Sequence, residues 1–321
     1  MMKNTRDLEW DNLARFEITV DSGSDALYAN GFQQVKLRVE VQASLNGMEV
    51  VLSDSEMAGI QLVRSDTNEA LVWISMDELP ADGWAGNTHR LEQFDYYGAS
   101  RAESSALRSD NAVEDKGTRL RPQVRELWVQ TTALDPLRIG ARVTRQTDSE
   151  PFNTYDSDFE NNEVVLKPQR IPARNPSNYT LEKTKIEPDS DADLDYDTLD
   201  YYALGINFEG RPLYFRSFRW NGFEGMYGHL VGSPLRGACV GYSSPGSVGI
   251  AWPPMFSGRP PLLESTPPEG VVTFVLQRWS NYNGPAGQSV RTAQVEATDS
   301  LGNPHTLTMT LSASLRALSF S

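Results

Sequence analysis

Apolar and polar residues alternate strictly along one segment of this chain, and this alternation limits what the chain can fold into. In residues 35–42, four apolar side chains fall on one face and four polar side chains on the other. This period of two is typical of a strand that is buried on one side and solvated on the other. Residues 16–20 and 305–311 repeat the alternation, whereas helical periodicity is scarce. The sequence therefore predicts an all-β fold.

The chain length predicts more than one domain. With 321 residues and roughly 150 residues per domain, we expect about two. The strand pattern is interrupted from Lys167 to Asn178, a stretch with three prolines, which suits a semi-extended connection. We therefore predict two β-sandwich (immunoglobulin-like) domains in tandem with long loops, at residues 1–167 and 181–321, joined by a linker at 168–180.

Each predicted domain also contains a related pair of strands. Residues 124–130 and 271–277 both end in glutamine, and each is followed, after a polar connection, by a second alternating strand. We interpret this weak duplication as the same hairpin at the edge of two sandwiches. The Ser/Arg/Asp-rich stretch 95–121 is predicted to be a long surface loop.

Local signals predict turns between the early strands. Asn30-Gly31 suits a type I′ turn. Residues 59–63 and 70–74 flank a polar stretch and are predicted to form a hairpin. Between these two features, the spacing of Ser53 and Glu56 predicts a capping box that starts one short helical turn.

Two of these segments resemble bacterial immunoglobulin-like domains of the invasin type. Leu27-Tyr28-Ala29-Asn30-Gly31 is similar to the A-N/D-G turn before an alternating strand in those domains, and 298–304 (TDSLGNP) is similar to their closing T-D-x-x-G-N turn. The resemblance implies β-sandwich modules used for display, adhesion or spacing, with no catalytic residues to transfer. The chain departs from the family in lacking equal tandem modules, and the aromatic segment 195–252 has no counterpart there.

The sharpest local feature is a run of alternating aspartates. Oxygen ligands at alternate positions are what a calcium loop requires, and this predicts a calcium site. Leu194 stands where the EF-hand loop needs glycine, and a solvated acidic loop is the alternative. The predicted ligands are Asp189, Asp191, Asp193, Asp195 and Asp197. A second acidic stretch, 156–163, is open to the same two interpretations; two calcium sites would flank the linker and rigidify it.

A cluster of aromatic residues follows the acidic run. Aromatics interleaved with arginine have the composition of a binding hot spot, and they also suit sugar stacking, but the same residues supply the buried area of a sandwich core. We expect most of them to be core. The candidates for a partner surface are Tyr214, Phe218, Trp220 and Tyr227.

No complete catalytic motif is present in the sequence. Residues 241–245 approach a nucleophile elbow, but the motif ends in Pro245 instead of glycine, which removes the strand-to-helix turn that an elbow needs. Pairing of this segment with His229 as a hydrolase on a β scaffold is the least favoured alternative. His89 and His305 are also isolated in sequence, and Cys239 is expected to be a buried, inert thiol.

Charge and composition exclude several functional classes. With 29 basic and 43 acidic residues, the net charge is −14, which disfavours binding to nucleic acid. No apolar run is long enough for a transmembrane helix. No apolar region follows the early positive charges, so we do not expect a cleaved signal peptide. We therefore expect synthesis in the cytoplasm, followed by retention there or by release or secretion without a cleaved signal.

Three hypotheses on function remain. The first is a non-enzymatic binding or structural protein of bacterial or phage origin that recognises a protein or glycan surface, as a monomer or an oligomer. The second is a secreted toxin, of the insecticidal or pore-forming type, with domains that bind a host surface. The third is the hydrolase. No cofactor other than calcium is expected.

Overall fold

The computed structural model contains two compact units, unit 1 (Met1–Ile171) and unit 2 (Pro172–Ser321). About 53% of the residues are in strands and 5% in helices, which confirms the all-β prediction. No helix in the described part of the chain is long and apolar enough to cross a membrane. The structure describes residues 9–76, 78–81, 83–98, 121–156, 160–187 (backbone only for 185–187), 198–221, 225–230, 237–253, 263, 265–279 and 289–321.

The described part of unit 1 is built from strands with one short helix. The helix is α1 (Asp54–Gly59), and a 3-10 turn spans Thr154–Asp156. The strands among the described residues are β1 (Asn12–Val20), β2 (Ala26–Tyr28), β3 (Gln34–Leu45), β4 (Met48–Val50), β5 (Gln61–Arg64), β6 (Val72–Trp73), β7 (Trp84–Asn87), β8 (Gln123–Thr131), β9 (Leu137–Thr144), β10 (Pro151–Asn153) and β11 (Val164–Gln169).

These strands form two sheets with immunoglobulin topology. One sheet has the order β1-β3-β8-β7-β6, with β4 on β3, and the other has the order β10-β9-β11-β2, with β5 on β9. If β1, β3, β5, β7, β8, β9 and β11 are lettered A to G, the sheets read ABED and CFG, which is the immunoglobulin constant-type arrangement. The fold class expected from the alternating strands is therefore correct for this unit.

The alternation in β3 places one face of that strand in the core. Val35, Leu37, Val39 and Val41 are each at most 1% exposed. Lys36, on the opposite face, is also buried, and its Nζ lies 2.7 Å from carboxylate oxygens of both Asp21 and Glu126. Burial alone would lower the pKa of Lys36, but the two carboxylates raise it above its ordinary value.

Helix α1 begins with the predicted capping box. The Ser53 hydroxyl accepts from the Glu56 backbone N–H, and the Glu56 carboxylate accepts from the Ser53 backbone N–H. Glu56 also accepts from the Trp10 indole N–H at 2.9 Å and from the Gln146 backbone N–H. A side chain that caps the helix therefore also connects it to two distant segments.

Unit 2 begins with an irregular stretch that includes a 3-10 turn (Pro176–Asn178). Its described strands are β12 (Tyr179–Glu187), β13 (Thr198–Phe208), β14 (Arg211–Leu213), β15 (Phe215–Trp220), β16 (Met226–His229), β17 (Gly237–Ser243), β18 (Val272–Trp279), β19 (Thr292–Asp299), β20 (Pro304–Leu311) and β21 (Leu318–Phe320). One sheet is β12-β13-β18-β17-β16, with β14 on β13, and the other is β15-β19-β20-β21. The strands β12, β13, β15, β17, β18, β19 and β20 again read as ABED and CFG.

Several local predictions need correction. The predicted hairpin of residues 59–63 and 70–74 forms only next to its turn. There the antiparallel bridge Val63↔Ala70 is flanked by hydrogen bonds from the Leu71 N–H to the Leu62 carbonyl and from the Arg64 N–H to the Glu69 carbonyl. Beyond this point the two segments separate, because β5 and β6 lie in opposite sheets. The related strand pairs are not hairpins, since β8 and β9 belong to opposite sheets, as do β18 and β19. The part of the predicted linker that lies between strands is confined to residues 170–178.

The predicted turn and loop in unit 1 also differ from the structure. Ala26–Tyr28 is strand β2, parallel to β11. In the turn that follows, the Asn30 side chain accepts from the Phe32 and Gln33 backbone N–H groups. Tyr96, in the predicted surface loop 95–121, is 3% exposed; residues 99–120 of that loop lie outside the described residues.

Candidate functional site

The aromatic residues predicted as a partner surface lie mostly in the core of unit 2. Phe218, Trp220 and Tyr227 are 5%, 8% and 3% exposed, and Tyr214 is partly buried. The Phe218 ring centroid is 5.0 Å from that of Tyr242, in an edge-on arrangement typical of packed aromatics. A partner surface formed by Phe218, Trp220 and Tyr227 is therefore excluded, and the core interpretation applies to them.

The acidic stretches differ in what the structure describes. Asp189, Asp191, Asp193, Asp195 and Asp197 lie outside the described residues, so calcium binding there remains a prediction. In the second stretch, Asp156 accepts from the Asn153 amide at 2.6 Å, and Glu163 pairs with Arg138. Within the described residues, no group of three or more His, Cys, Asp or Glu side chains could hold a metal ion.

His229 and Ser243, weighed as a hydrolytic pair, lie far apart, and Ser243 is fully buried. His229 pairs with Gly237 across β16 and β17, six residues from Ser243 and thus about 20 Å away along the strand. The Ser243 hydroxyl donates to the Ser247 backbone carbonyl, and a turn, not a helix, follows. Cys239 is fully buried, and burial raises the pKa of its thiol well above the ordinary value, as expected of an inert cysteine.

The structure instead concentrates polar groups at the turn between β19 and β20, in the segment 298–306. Asp299 is fully buried, and its Oδ1 accepts from the backbone N–H groups of Leu301 and Asn303 at 2.8 and 2.9 Å. Its Oδ2 accepts from the Asn303 side-chain amide at 3.3 Å. Gly302 completes the turn with φ of +82°, a conformation that favours glycine.

His305 connects this turn to the first strand of unit 2. Its Nε2 lies 3.1 Å from Asp299 Oδ2, and its Nδ1 lies 2.8 Å from the Tyr179 hydroxyl. Burial raises the pKa of Tyr179, and the Asp299 charge raises it further while Arg174 opposes both. The phenol therefore stays protonated at neutral pH.

Arg174 adds a buried cation to the same cluster. Its side chain is 7% exposed, and its NH2 lies 3.5 Å from Asp299 Oδ2. The guanidinium carbon lies 3.7 Å from the centroid of the Phe208 ring, within cation–π range. A cavity of about 240 Å³, the Arg174 hollow, is lined by Pro172, Arg174, Asn175, Pro176, Tyr179, Pro304, His305, Thr306, Leu307 and Ser321.

A larger concavity lies on the outer face of the sheet that contains β15, β19 and β20. Arg219 is exposed along its side chain, and Glu296 accepts from its Nε at 2.9 Å. Two exposed residues flank this ion pair: Ser217 lies two positions before Arg219 on β15, and Thr306 lies opposite Glu296 on β20. This concavity, the sheet-face groove, has a volume of about 510 Å³ and is lined by Ser217, Phe218, Arg219, Glu296, Ala297, Thr298, Pro304, His305 and Thr306.

The Arg174 hollow and the sheet-face groove are neighbours. Both are lined by Pro304, His305 and Thr306, the first residues of β20. The buried contacts of His305 thus hold in place the short segment of backbone that lies between the two concavities. Together they form the candidate binding site of unit 2.

The sequence predicts only part of this site. The turn 298–304 carries a resemblance, whereas His305 is isolated in sequence. Arg174 falls in the predicted linker, and no motif marks Ser217 or Arg219. The one signal for the site is that Asp299 and His305 lie on either side of a tight turn.

Comparisons with known proteins give weak matches. No protein-family model matches the sequence, and no curated protein is significantly similar to it. The adhesin InvE of Yersinia pseudotuberculosis matches with 8% identity and a TM-score of 0.22, over 93% of this chain and 60% of that one. The collagen binding domain of Erysipelothrix rhusiopathiae surface protein RspB matches with 10% identity and a TM-score of 0.21, over 97% of this chain and 93% of that one. At these TM-scores the matches carry no conclusion about function.

Proposed function

We propose that this chain is a non-enzymatic binding protein, of the bacterial or phage class that the invasin-like turns indicate, and that it recognises a protein partner through unit 2. The observation that carries the proposal is the sheet-face groove, a polar concavity on a rigid sheet. A surface already held in one conformation loses little entropy on binding.

The groove offers matched donors and acceptors. The Arg219 guanidinium is fixed by Glu296 yet remains 76% exposed along its side chain, and arginine is enriched at interface hot spots. Ser217, Thr298 and Thr306 line the same groove with hydroxyl groups that both donate and accept. This chemistry suits the amides and polar side chains of a protein.

The lining favours a protein over a glycan. Sugar sites commonly stack a pyranose ring on an exposed aromatic side chain. The two aromatic residues in the groove lining, Phe218 and His305, are only 5% and 4% exposed, so neither ring is available for stacking. Recognition would therefore rest on hydrogen bonds and charge.

The outer face of the sheet extends the groove to the size that a protein partner needs. A stable interface covers about 800 Å² on each partner, which is more than a groove of this size provides. Next to the groove, the outer face continues along β19 and β20 with two further polar side chains, the exposed Gln294 and the partly exposed Thr308.

A random-peptide phage library selected on the full chain tests the proposal. Ser217→Trp fills the groove from an exposed position, and Thr292→Trp places the same side chain on the same sheet face outside the groove. We expect selected peptides to lose at least tenfold in affinity for S217W and to keep it for T292W. The absence of enrichment, or equal binding to both variants, would overturn the proposal. A glycan array run in parallel would overturn the choice of a protein partner if it finds a glycan whose binding S217W abolishes.

A further inference from the structure

Arg174 is a buried cation whose hydrogen bonds are mostly unmade within the described residues. A guanidinium carries five N–H donors. The Nε and NH1 atoms of Arg174 are buried and have no hydrogen-bond partner there, and NH2 has one acceptor, Asp299 Oδ2, at 3.5 Å. That distance exceeds the usual range of about 2.7–3.2 Å for an N–H···O hydrogen bond. Unmade hydrogen bonds on a buried charged group are costly.

Asp299 does not supply the acceptors that Arg174 lacks, because its carboxylate oxygens already accept other hydrogen bonds. The carboxylate already accepts from the Leu301 and Asn303 backbones and from the Asn303 side chain, and His305 Nε2 lies 3.1 Å from it. Each of these contacts is shorter than the contact with Arg174. The carboxylate charge is therefore satisfied mainly by its own turn, which leaves the guanidinium with spare capacity.

The Arg174 side chain is held in one position before any ligand binds. Its guanidinium carbon lies 3.7 Å from the Phe208 ring centroid, and its side chain is 7% exposed. A guanidinium fork that is held in place matches the planar pair of oxygens of a carboxylate, because two parallel hydrogen bonds can form at once. Thr306 and Asn175, which also line the hollow, add further polar groups around it.

We propose that the Arg174 hollow binds a carboxylate group, supplied by an acidic side chain of the protein partner. This inference rests on the proposed function, since the hollow and the sheet-face groove share the start of β20. A partner segment that crosses Pro304 can place its acidic side chain at Arg174 while its other groups occupy the groove. The ligand class is thus a protein carrying Asp or Glu next to a polar segment.

Sodium acetate is the probe, and the full chain labelled with ¹⁵N-arginine is the sample. Acetate is titrated against sodium chloride at constant ionic strength, and the arginine Nε–H resonances are followed by NMR. We expect a saturable shift of the Arg174 resonance with an apparent Kd on the order of 1 mM, as suits a ligand of four heavy atoms. Chloride should leave that resonance unchanged. A shift that does not saturate, or one that is no larger at Arg174 than at the exposed Arg219, would overturn the inference.

Two variants separate this inference from the proposed function. In uniformly ¹⁵N-labelled protein, acetate should also shift the backbone amide resonance of Thr306, which lines the hollow. Arg174→Lys keeps the charge but loses the fork, and it should abolish this shift. Arg219→Lys lies in the groove and should leave that shift intact; loss of the shift in both variants would count against the hollow. The acetate titration needs no partner. If acetate does not bind at Arg174 while S217W still weakens peptide binding, the carboxylate inference is wrong and the proposed function stands. If acetate binds at Arg174 while no peptide is selected, the proposed function is wrong and the carboxylate site stands.

Discussion

Asp299 and His305 face each other across the β19–β20 turn, with Oδ2 and Nε2 3.1 Å apart and both side chains fully buried. The same carboxylate holds the turn through two backbone N–H groups, so one residue supports the turn and the candidate site together. We expect Asp299→Ala to lower the free energy of unfolding by about 2–4 kcal/mol, because it leaves buried donors without an acceptor. Urea unfolding measures the loss.

The matched control for that change lies on the same strand. Glu296→Ala removes a carboxylate whose partner, Arg219, is largely exposed, and such pairs contribute about 0–1 kcal/mol. Equal losses for the two variants would show that the buried network does not stabilise the turn.

Removal of a second buried carboxylate should lower the free energy of unfolding of unit 2 by a larger amount. Asp200 is fully buried, 3.1 Å from both Lys183 Nζ and Arg278 NH2. Asp200→Ala should cost about 3–5 kcal/mol, because it leaves the buried Arg278 without its counter-charge. Glu163→Ala, which breaks an exposed pair with Arg138, is the control and should cost less than about 1 kcal/mol. A comparable cost for both variants in urea unfolding would contradict this account.

Two glycines of unit 1 give opposite predictions. A Cβ on Gly140 would lie 2.5 Å from the Tyr155 ring and 2.8 Å from the Thr154 hydroxyl, which accepts from the Ala141 N–H. Gly140→Ala should therefore destabilise unit 1 by about 1–3 kcal/mol. A Cβ on Gly59, at the end of α1, meets nothing within 4 Å, so Gly59→Ala should be neutral or slightly stabilising. Thermal unfolding that ranks the two variants the other way would show that the Tyr155 contact is wrong.

The capping residue Glu56 should make the stability of unit 1 depend on pH. Burial alone would raise the pKa of Glu56, but hydrogen bonds from Trp10, Ser53 and Gln146 lower it below its ordinary value of 4.5. A carboxylate with a lowered folded-state pKa contributes stability above its unfolded pKa and loses that contribution as the pH falls through the folded value. The difference in unfolding free energy between wild type and Glu56→Gln should therefore be larger at pH 7 than at pH 3. The same difference at both pH values would contradict this assignment.

Elements set by local pattern were predictable from the sequence. Strand β3 follows from its alternation, because Val35 and Leu37 share the face that the core covers. The capping box of α1 follows from the spacing of Ser53 and Glu56. The related strand pairs also had a real basis, since β8 and β18 are both strand E and β9 and β19 are both strand F. Which strands pair depends on long-range packing, so adjacency in sequence predicts a hairpin for strands E and F although they lie in opposite sheets.

The candidate site could not be derived in the same way. The composition around Phe218 and Trp220 suits a hot spot as well as the favoured core, and the packing of one sheet on the other shows that these two side chains belong to the core. Arg174 reaches Asp299 across 125 positions in the sequence, a contact that no local pattern encodes. The turn 298–304 was visible as a motif, but its role as the scaffold of two concavities depends on Tyr179 and Phe208 from distant strands.

The most direct test of the central claim is to map a selected peptide onto the full chain by amide chemical shifts. The sheet-face groove predicts that the largest shifts fall on Ser217, Thr298 and Thr306, and that Ser217→Trp removes them while Thr292→Trp does not. Shifts that cluster in unit 1, or on the sheet β12-β13-β18-β17-β16 of unit 2, would contradict the account.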